Sequence, residues 1–330
     1  MIISKTPYRI SFFGGGSDYP EWYLKNGGQV LSTTIDKHIY ITCRYLPPFF
    51  SHKHRIVWSK LERVKRTEDI KHDSVRELIK LLKIKKGMEI HYDGDLPARS
   101  GMGSSSSFVV GLINTIYALK KNKISKKKLA LKSINFEQNI LKETVGSQDQ
   151  IATAYGGFNK IKFYNNGNFK VLPIKLSQTN LSRLSQNLIL LYTGIKRTAH
   201  HIASSYAGKL NTKKKFDILE IIDFVNEAEV LIKKKNFDDF GKLLHQSWLT
   251  KRNLSSKISN NSIDDFYEYA MKKGALGGKL LGAGGGGFFL LYVPHRKQNK
   301  FLKNFRNFVH IPFNFENQGS KIIFRDNNSN

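Results

Sequence analysis

Cysteine is almost absent from this chain: Cys43 is the only one in 330 residues. An internal disulfide is excluded, and the usage fits a reducing cytoplasm. Long apolar stretches are missing as well. No run reaches the roughly 18 residues that suggest a membrane-spanning helix. The N-terminus MIISKTPYRISFF has neither a long apolar core nor a small-residue cleavage site, so no signal peptide is expected. Acidic residues are scarce, 26 Asp and Glu against 54 Lys and Arg, for a formal net charge of +28. Such a balance suits nucleic acid, an anionic small molecule, or codon bias toward lysine. The lysines fall in separate clusters, at 83–86, 120–128, 213–215 and 233–235, which read as solvated helix faces and turns. Neither a zinc-finger spacing nor an aromatic RNA-binding motif accompanies them, so no specific nucleic-acid partner is expected. The charge would still steer phosphorylated substrates toward the protein. No internal repeat is evident. A Walker-type G-x-x-x-x-G-K-S/T loop is missing too. A G-x-G-x-x-G does occur at Gly282, Gly284 and Gly287, but it precedes the strand-like Phe288–Val293. A dinucleotide fingerprint follows a strand and opens a helix.

What is present begins with Leu96-Pro-Ala-Arg-Ser-Gly-Met-Gly-Ser-Ser-Ser-Ser107. Two glycines and four serines lie between a strand-like and a helix-like segment. Glycine lets a backbone approach an anion closely. The unbonded N–H groups of a first helical turn point at it, and the helix dipole favours negative charge there. Phe108, Val109, Leu112, Ile113, Ile116 and Leu119 recur at helical spacing and define the helix that follows. An ordinary serine-capped helix after a glycine turn is the plainer reading of the same letters.

With 40% hydrophobic and 12% aromatic residues the chain is globular, and its length suits two domains. Ile2–Phe12, Val30–Cys43, Arg55–Trp58 and Met88–Tyr92 read as strands. Ser74–Leu82 reads as a helix, and another is expected from Ser125, a plausible N-cap, to about Lys142. Val145–Gln150 enters a further helix that ends before Gly156-Gly157, and Ile161–Pro173 suggests a hairpin about Asn166-Gly167. The polar tract Leu176–Gln186 is the expected linker. Beyond it come the strand Leu188–Tyr192, several lysine-rich amphipathic helices, then helix Asp264–Lys273, the glycine run Gly277–Gly287 and strand Phe288–Val293. A final αβ segment follows, and Asp326–Asn330 is expected to fray.

Three acidic residues carry potential chemistry. Glu137 interrupts an apolar stripe of Ala130, Ile134 and Leu141, and a buried carboxylate needs a cation, a metal or strong donors. A structural ion pair with a lysine would answer the same need. Asp149, in Val145-Gly-Ser-Gln-Asp-Gln150, is either a first-turn dipole partner or a general base. Near the N-terminus, Arg9 and Ser11 alternate with Ile10 and Phe12, and the strand ends in Gly14-Gly-Gly-Ser-Asp18. The glycines suggest close backbone approach to a ligand, and Asp18 could bind sugar hydroxyls or simply shape a turn.

Together TPYRISFFGGGSDY, LPARSGMGSSSSFVVG and GGKLLGAGGGGFFLLYV resemble, in order, the three signature regions of the GHMP kinases. This resemblance spans most of the chain. It implies an α+β fold with a ribosomal-protein-S5-like N-terminal domain over residues 1–184, binding ATP and sugar, and a ferredoxin-like C-terminal domain over 185–330. The first signature is similar to that of kinases acting on the C1 hydroxyl of sugars. The chain as a whole, including Ser32-Thr-Thr-Ile-Asp-Lys37 and Tyr192-Thr-Gly-Ile-Lys-Arg197, most resembles the heptose 7-phosphate kinases of nucleotide-heptose synthesis. The resemblance implies ATP and Mg²⁺, with Arg99, Ser100, Gly101, Met102, Gly103, Ser104, Ser105, Ser106 and Ser107 around the polyphosphate. Ser105 and Glu137 would hold the metal, Asp149 would act as base and Arg9 beside it. Gly14, Gly15, Gly16, Ser17, Asp18, Lys37, Arg197, Gly284 and Gly285 would meet the sugar. Lys37, Arg44, Lys196 and Arg197 are candidates for a clamp on a distal phosphate. Gly14-Gly-Gly16 stands where galactokinases have Gly-Glu-His, which argues against galactose. A C1 kinase of a free sugar and a catalytically silent sugar sensor are the alternatives. The expected partner is a small-molecule sugar phosphate. The oligomeric state, monomer or homodimer, stays open.

Overall fold

The computed structural model describes residues 1–195 and 202–326. Its larger sheet is built around one long strand. Strand β1 (Ile2–Phe13) pairs antiparallel with β2 (Gly28–Tyr45). Threonine, isoleucine and tyrosine recur along β2, the residue types that suit a pleated, packed surface. Its other edge carries three partners in turn: β6 (Phe158–Phe163) on its first residues, β12 (Phe315–Glu316) near the middle and β5 (Met88–Gly94) on its last. Strands β3 (His54–Val57) and β4 (Leu61–Val64) extend the sheet beyond β5, with β3 parallel to it. β7 (Phe169–Pro173) closes the expected hairpin with β6, and β13 (Lys321–Arg325) covers the free edge of β1. The smaller sheet has the order β11 (Val309–His310), β8 (Leu188–Tyr192), β10 (Phe288–Tyr292), β9 (Gly277–Leu280), all antiparallel. Helix and sheet are mixed as an α+β fold requires. The last two strands, which lie well beyond residue 185, pair with the larger sheet.

The helix Ser104–Leu119 lies on β1 and β2 and is buried nearly all round, including Val110, Gly111 and Thr115 as well as the expected apolar face. Gly111 is required there: a Cβ would stand 2.8 Å from Thr6 Oγ1. In the smaller sheet, LILLY and FFLLY are buried on both faces, so they read as unbroken apolar runs instead of alternating ones. Trp248 packs edge-on against Phe289 and Tyr267, with centroids 5.7 and 6.2 Å away. Burial of one such ring contributes about 2–3 kcal/mol.

Three expected elements differ. Leu176–Gln186 is no open linker, because Ser177 caps a helix over Gln178–Gln186 by accepting from Asn180 N. The helix capped by Ser125 runs as α-helix only over Lys126–Asn135 and widens into a π turn, Phe136–Ile140. Its apolar period survives that change, so the sequence cannot register it. Within Gly277–Gly287, the first four residues form β9 because Gly277 and Gly278 sit against backbone where a Cβ would clash, at 2.0 and 2.5 Å.

Candidate active site

Strand β1 positions the first functional side chain by leaving its ladder. The register with β2 jumps from Pro7 opposite His38 to Arg9 opposite Thr34. Arg9 N then donates to Met102 O at 3.1 Å, tying the strand to the serine loop. Arg9 is buried at 4% exposure, and each nitrogen of its guanidinium donates: Nε and Nη2 to the two oxygens of Asp149 at 2.7 and 2.8 Å, and Nη1 to Gly101 O at 2.7 Å. Asp149 comes from the first turn of the helix Gln148–Tyr155 and keeps 22% of its side chain exposed toward a cleft. A carboxylate has about four acceptor positions, so the two-point pair leaves room for a hydroxyl.

Above this pair stands the serine loop. Gly103 is the N-cap of the helix in the left-handed conformation, φ 74°. The first helical bond runs from Ser107 N to Gly103 O, so the N–H groups of residues 104–106 point outward, as an anion site needs. A Cβ on Gly103 would lie 3.3 Å from Asp149 Oδ2 and 3.2 Å from Arg9 Cγ, so the loop and the ion pair touch. Arg99, Gly101, Gly103, Ser104, Ser105 and Ser106 line the cleft. Ser100, Met102 and Ser107 do not: Ser100 O accepts from Phe288 N, Met102 lies in the core, and Ser107 Oγ donates to Pro7 O. Successive side chains of a helix point about 100° apart, so Ser107 turns back toward β1 while Ser104 to Ser106 reach the cleft.

The same periodicity decides the carboxylate's neighbour. Glu137, in the π turn, is fully buried, and it meets Ser106 and not Ser105: Ser106 Oγ donates to Glu137 Oε2 at 2.8 Å, and Gln150 Nε2 donates to that oxygen as well. Ser105 is exposed at the mouth of the cleft. Glu137 Oε1 has no hydrogen-bond partner among the described residues. Burial, with Glu143 nearby, pushes the carboxyl up to about 8. Among the described residues no lysine pairs with it. An orphaned, deeply buried carboxylate beside serine hydroxyls and a helix N-terminus fits a Mg²⁺ ion, which takes one or two carboxylates and fills its shell with phosphate oxygens and water. Glu137 and Ser106 would hold it from the protein side. Among the described residues no cluster of three or more acidic, His or Cys side chains offers another metal site.

The opposite side is formed by Gly15, Gly16 and Asp18 from the glycine turn and by residues of the smaller sheet. Asp18 is buried, with Oδ1 accepting from Gly16 N at 2.9 Å and Oδ2 from Gln148 N at 3.3 Å. Burial, with the Asp149 charge beside it, raises its carboxyl above the usual range. Gly14 and Ser17 support this turn from behind: a Cβ on Gly14 would meet Gln29 O at 2.1 Å, and Ser17 Oγ donates to Gly14 O and Gln29 O.

Several expected contacts lie elsewhere. Gly284 and Gly285 pack against Ile258 and Ile202, and Gly282 and Ala283 face the cleft in their place. Lys37 pairs with Asp36, and Arg44 with Glu89 on the far end of β2; neither lines the cleft. Lys196 and Arg197 fall outside the described residues. Sequence reasoning missed Gln148, Tyr206, Lys251 and Lys279, all on the cleft wall with Ser11 of the polar strand face. Lys279 had a signal, a single charge inside the buried strand GGKL. Its Nζ donates to Phe12 O at 2.6 Å, and burial, with Arg9 nearby, lowers it to about 7.

Two family models match the chain: GHMP kinases N terminal domain over residues 70–157 and GHMP kinases C terminal over 228–310. A D-glycero-alpha-D-manno-heptose 7-phosphate kinase of Campylobacter jejuni is 29% identical over 97% of this chain and 98% of its own length. A bifunctional fucokinase/GDP-fucose pyrophosphorylase of Arabidopsis thaliana is 24% identical over 90% of the chain, which spans only 30% of that longer protein. The crystal structure of a D-glycero-D-manno-heptose 1-phosphate kinase from Bacteroides thetaiotaomicron superposes with a TM-score of 0.80 at 21% identity, covering 99% and 100% of the two chains.

Proposed function

The chain belongs to the GHMP kinases, and from that premise we propose that it transfers the γ-phosphoryl group of ATP to the anomeric hydroxyl of a sugar phosphate, D-glycero-D-manno-heptose 7-phosphate, giving the 1,7-bisphosphate. As a kinase acting on a sugar alcohol group it is a phosphotransferase. The observation that carries the proposal is the position of Asp149, held at two points by Arg9 between the serine turn and Asp18. Full-length similarity to the Campylobacter enzyme supports the substrate.

Phosphoryl transfer depends on positioning and charge stabilisation more than on covalent chemistry by the protein. The N–H groups of residues 104–106 and the side chain of Arg99 receive the polyphosphate. Glu137 and Ser106 would hold a Mg²⁺ ion, which would supply positive charge to offset that of the polyphosphate. Asp18 and the backbone of Gly15 and Gly16 orient the sugar. Asp149 accepts the proton of the C1 hydroxyl as its oxygen bonds to the γ-phosphorus; the bond from that phosphorus to the β–γ bridging oxygen breaks, and ADP leaves. Arg9, gripping both carboxylate oxygens, fixes the plane of Asp149.

Incubating the protein with ATP, Mg²⁺ and a panel of free and phosphorylated sugars, and reading the product by NMR, tests this. Highest kcat/KM with the heptose 7-phosphate and a new anomeric phosphate are expected. Phosphorylation at another carbon would refute the acceptor position. Preference for a free sugar would favour the second reading, a C1 kinase of fucose type, which the similarity to the Arabidopsis protein supports.

A further inference from the structure

We propose that Lys279, with Lys251 beside it, binds the acceptor's own phosphate and thereby selects a phosphorylated sugar over a free one. This rests on the sugar-kinase reading above. Among the described residues the cleft is lined by four cations, Arg9, Arg99, Lys251 and Lys279, and by two acids, Asp18 and Asp149. Their placement is uneven. Arg9 is neutralised by Asp149, and Arg99 stands at the serine loop, where the nucleotide's charge arrives. Both acids come from the part of the chain that folds into the larger sheet. Among the described residues, the wall from the smaller sheet and its helices carries Lys251 and Lys279 and no acid.

Lys279 is 3% exposed, and its only hydrogen bond to a described residue is the one to Phe12 O. An ammonium has three N–H donors. A buried cation with two donors unused is poorly compensated unless an anion joins it. Lys251, 7% exposed, donates to the carbonyls of Leu280 and Gly282, which places its charge at the end of the same strand. Of the four cations the sequence suggested for this duty, Lys37 and Arg44 are committed to Asp36 and Glu89 away from the cleft, and Lys196 and Arg197 lie outside the described residues. The acceptor's phosphate is the remaining anion that the lysine wall fits. The adjoining Asp18 can hold sugar hydroxyls while the phosphate reaches the lysines.

The test compares kcat/KM for D-glycero-D-manno-heptose 7-phosphate and for the same heptose without phosphate, in the wild type, Lys279→Met, Lys279→Arg and Lys251→Met. Binding of an ATP analogue checks that each variant is folded. The wild type is expected to prefer the phosphorylated sugar by about 100-fold, as for charge-assisted hydrogen bonds. Lys279→Met should reduce that preference to under about tenfold, Lys251→Met should reduce it partly, and Lys279→Arg should retain most of it. If Lys279→Met loses equally on both sugars while the wild type keeps its preference, Lys279 is only a tether to β1 and the inference fails. A wild type without preference overturns the substrate reading itself, a result separable from the first.

Discussion

Arg9 and Asp149, 140 positions apart, close a two-point ion pair at 2.7 and 2.8 Å directly beneath the left-handed Gly103. One strand bulge, one helix start and one glycine turn converge there.

Replacing Asp149 by Asn keeps the shape and one acceptor but removes the base. Turnover should fall by about 10³-fold, within the range for general-base removal, with nucleotide affinity nearly intact. Arg9→Lys keeps the charge and loses the fork, and should cost about 10–100-fold in kcat. Steady-state kinetics with a nucleotide-binding titration check both. Near-normal turnover of the Asn variant would remove Asp149 from the mechanism.

Gly103→Ala tests the contact between loop and ion pair. The left-handed backbone penalises any side chain by about 1–2 kcal/mol, and the new methyl would press on both Asp149 and Arg9. Displacement of a base by a fraction of an ångström should lower kcat by roughly tenfold or more. Circular dichroism should show the fold retained. An alanine variant with wild-type kcat would mean that the pair tolerates movement.

Ser105 and Ser106 differ by one position and by about 100° around the helix. Ser106→Ala deprives Glu137 of a donor and should raise the Mg²⁺ concentration for half-maximal rate about tenfold. Ser105→Ala, at an exposed site, should change it little. Magnesium titrations at fixed ATP decide between them, and the reverse order would return the ligand role to Ser105.

The lysine wall has a pH signature. Lys279 titrates at about 7, lowered by burial and by Arg9, with Asp18 opposing. The sugar's phosphate is already a dianion above that pH, so a rise from pH 7 to 8.5 removes the lysine's charge. KM for the phosphorylated sugar should then climb by about tenfold per unit at most, while KM for the dephosphorylated sugar stays level. Without substrate the linkage runs the other way. Between about 7 and the ordinary lysine value of 10.5, the folded state binds fewer protons than the unfolded chain. The lysine's cost to stability is therefore complete below pH 7 and fades as pH rises. Lys279→Met should raise Tm more at pH 6 than at pH 9, and equal gains would contradict the shift.

The strands and helices that the letters described were those whose pattern has a single physical meaning. The Met88–Tyr92 strand, the unbroken LILLY and FFLLY runs, the Ser125 cap and the Asn166-Gly167 hairpin are local, and the structure has them. The π turn at Glu137 and the helix at Gln178–Gln186 escaped because neither changes apolar spacing or requires an unusual residue.

At the site, the sequence by itself determined which chemical groups were available: a glycine-serine turn before a helix, an isolated carboxylate in an apolar stripe, and a glycine run ending in Asp18. It also determined, through three ordered signatures, the family. Which groups meet was decided only by the tertiary structure. Ser106 and not Ser105 reaches Glu137, Gly282 and not Gly284 faces the cleft, and Lys279 lines the cleft while Lys37 and Arg44 do not. The reason is geometric. Neighbours in a helix point about 100° apart and neighbours in a strand point to opposite faces, so a motif names a segment, while packing at ångström range selects the atoms within it.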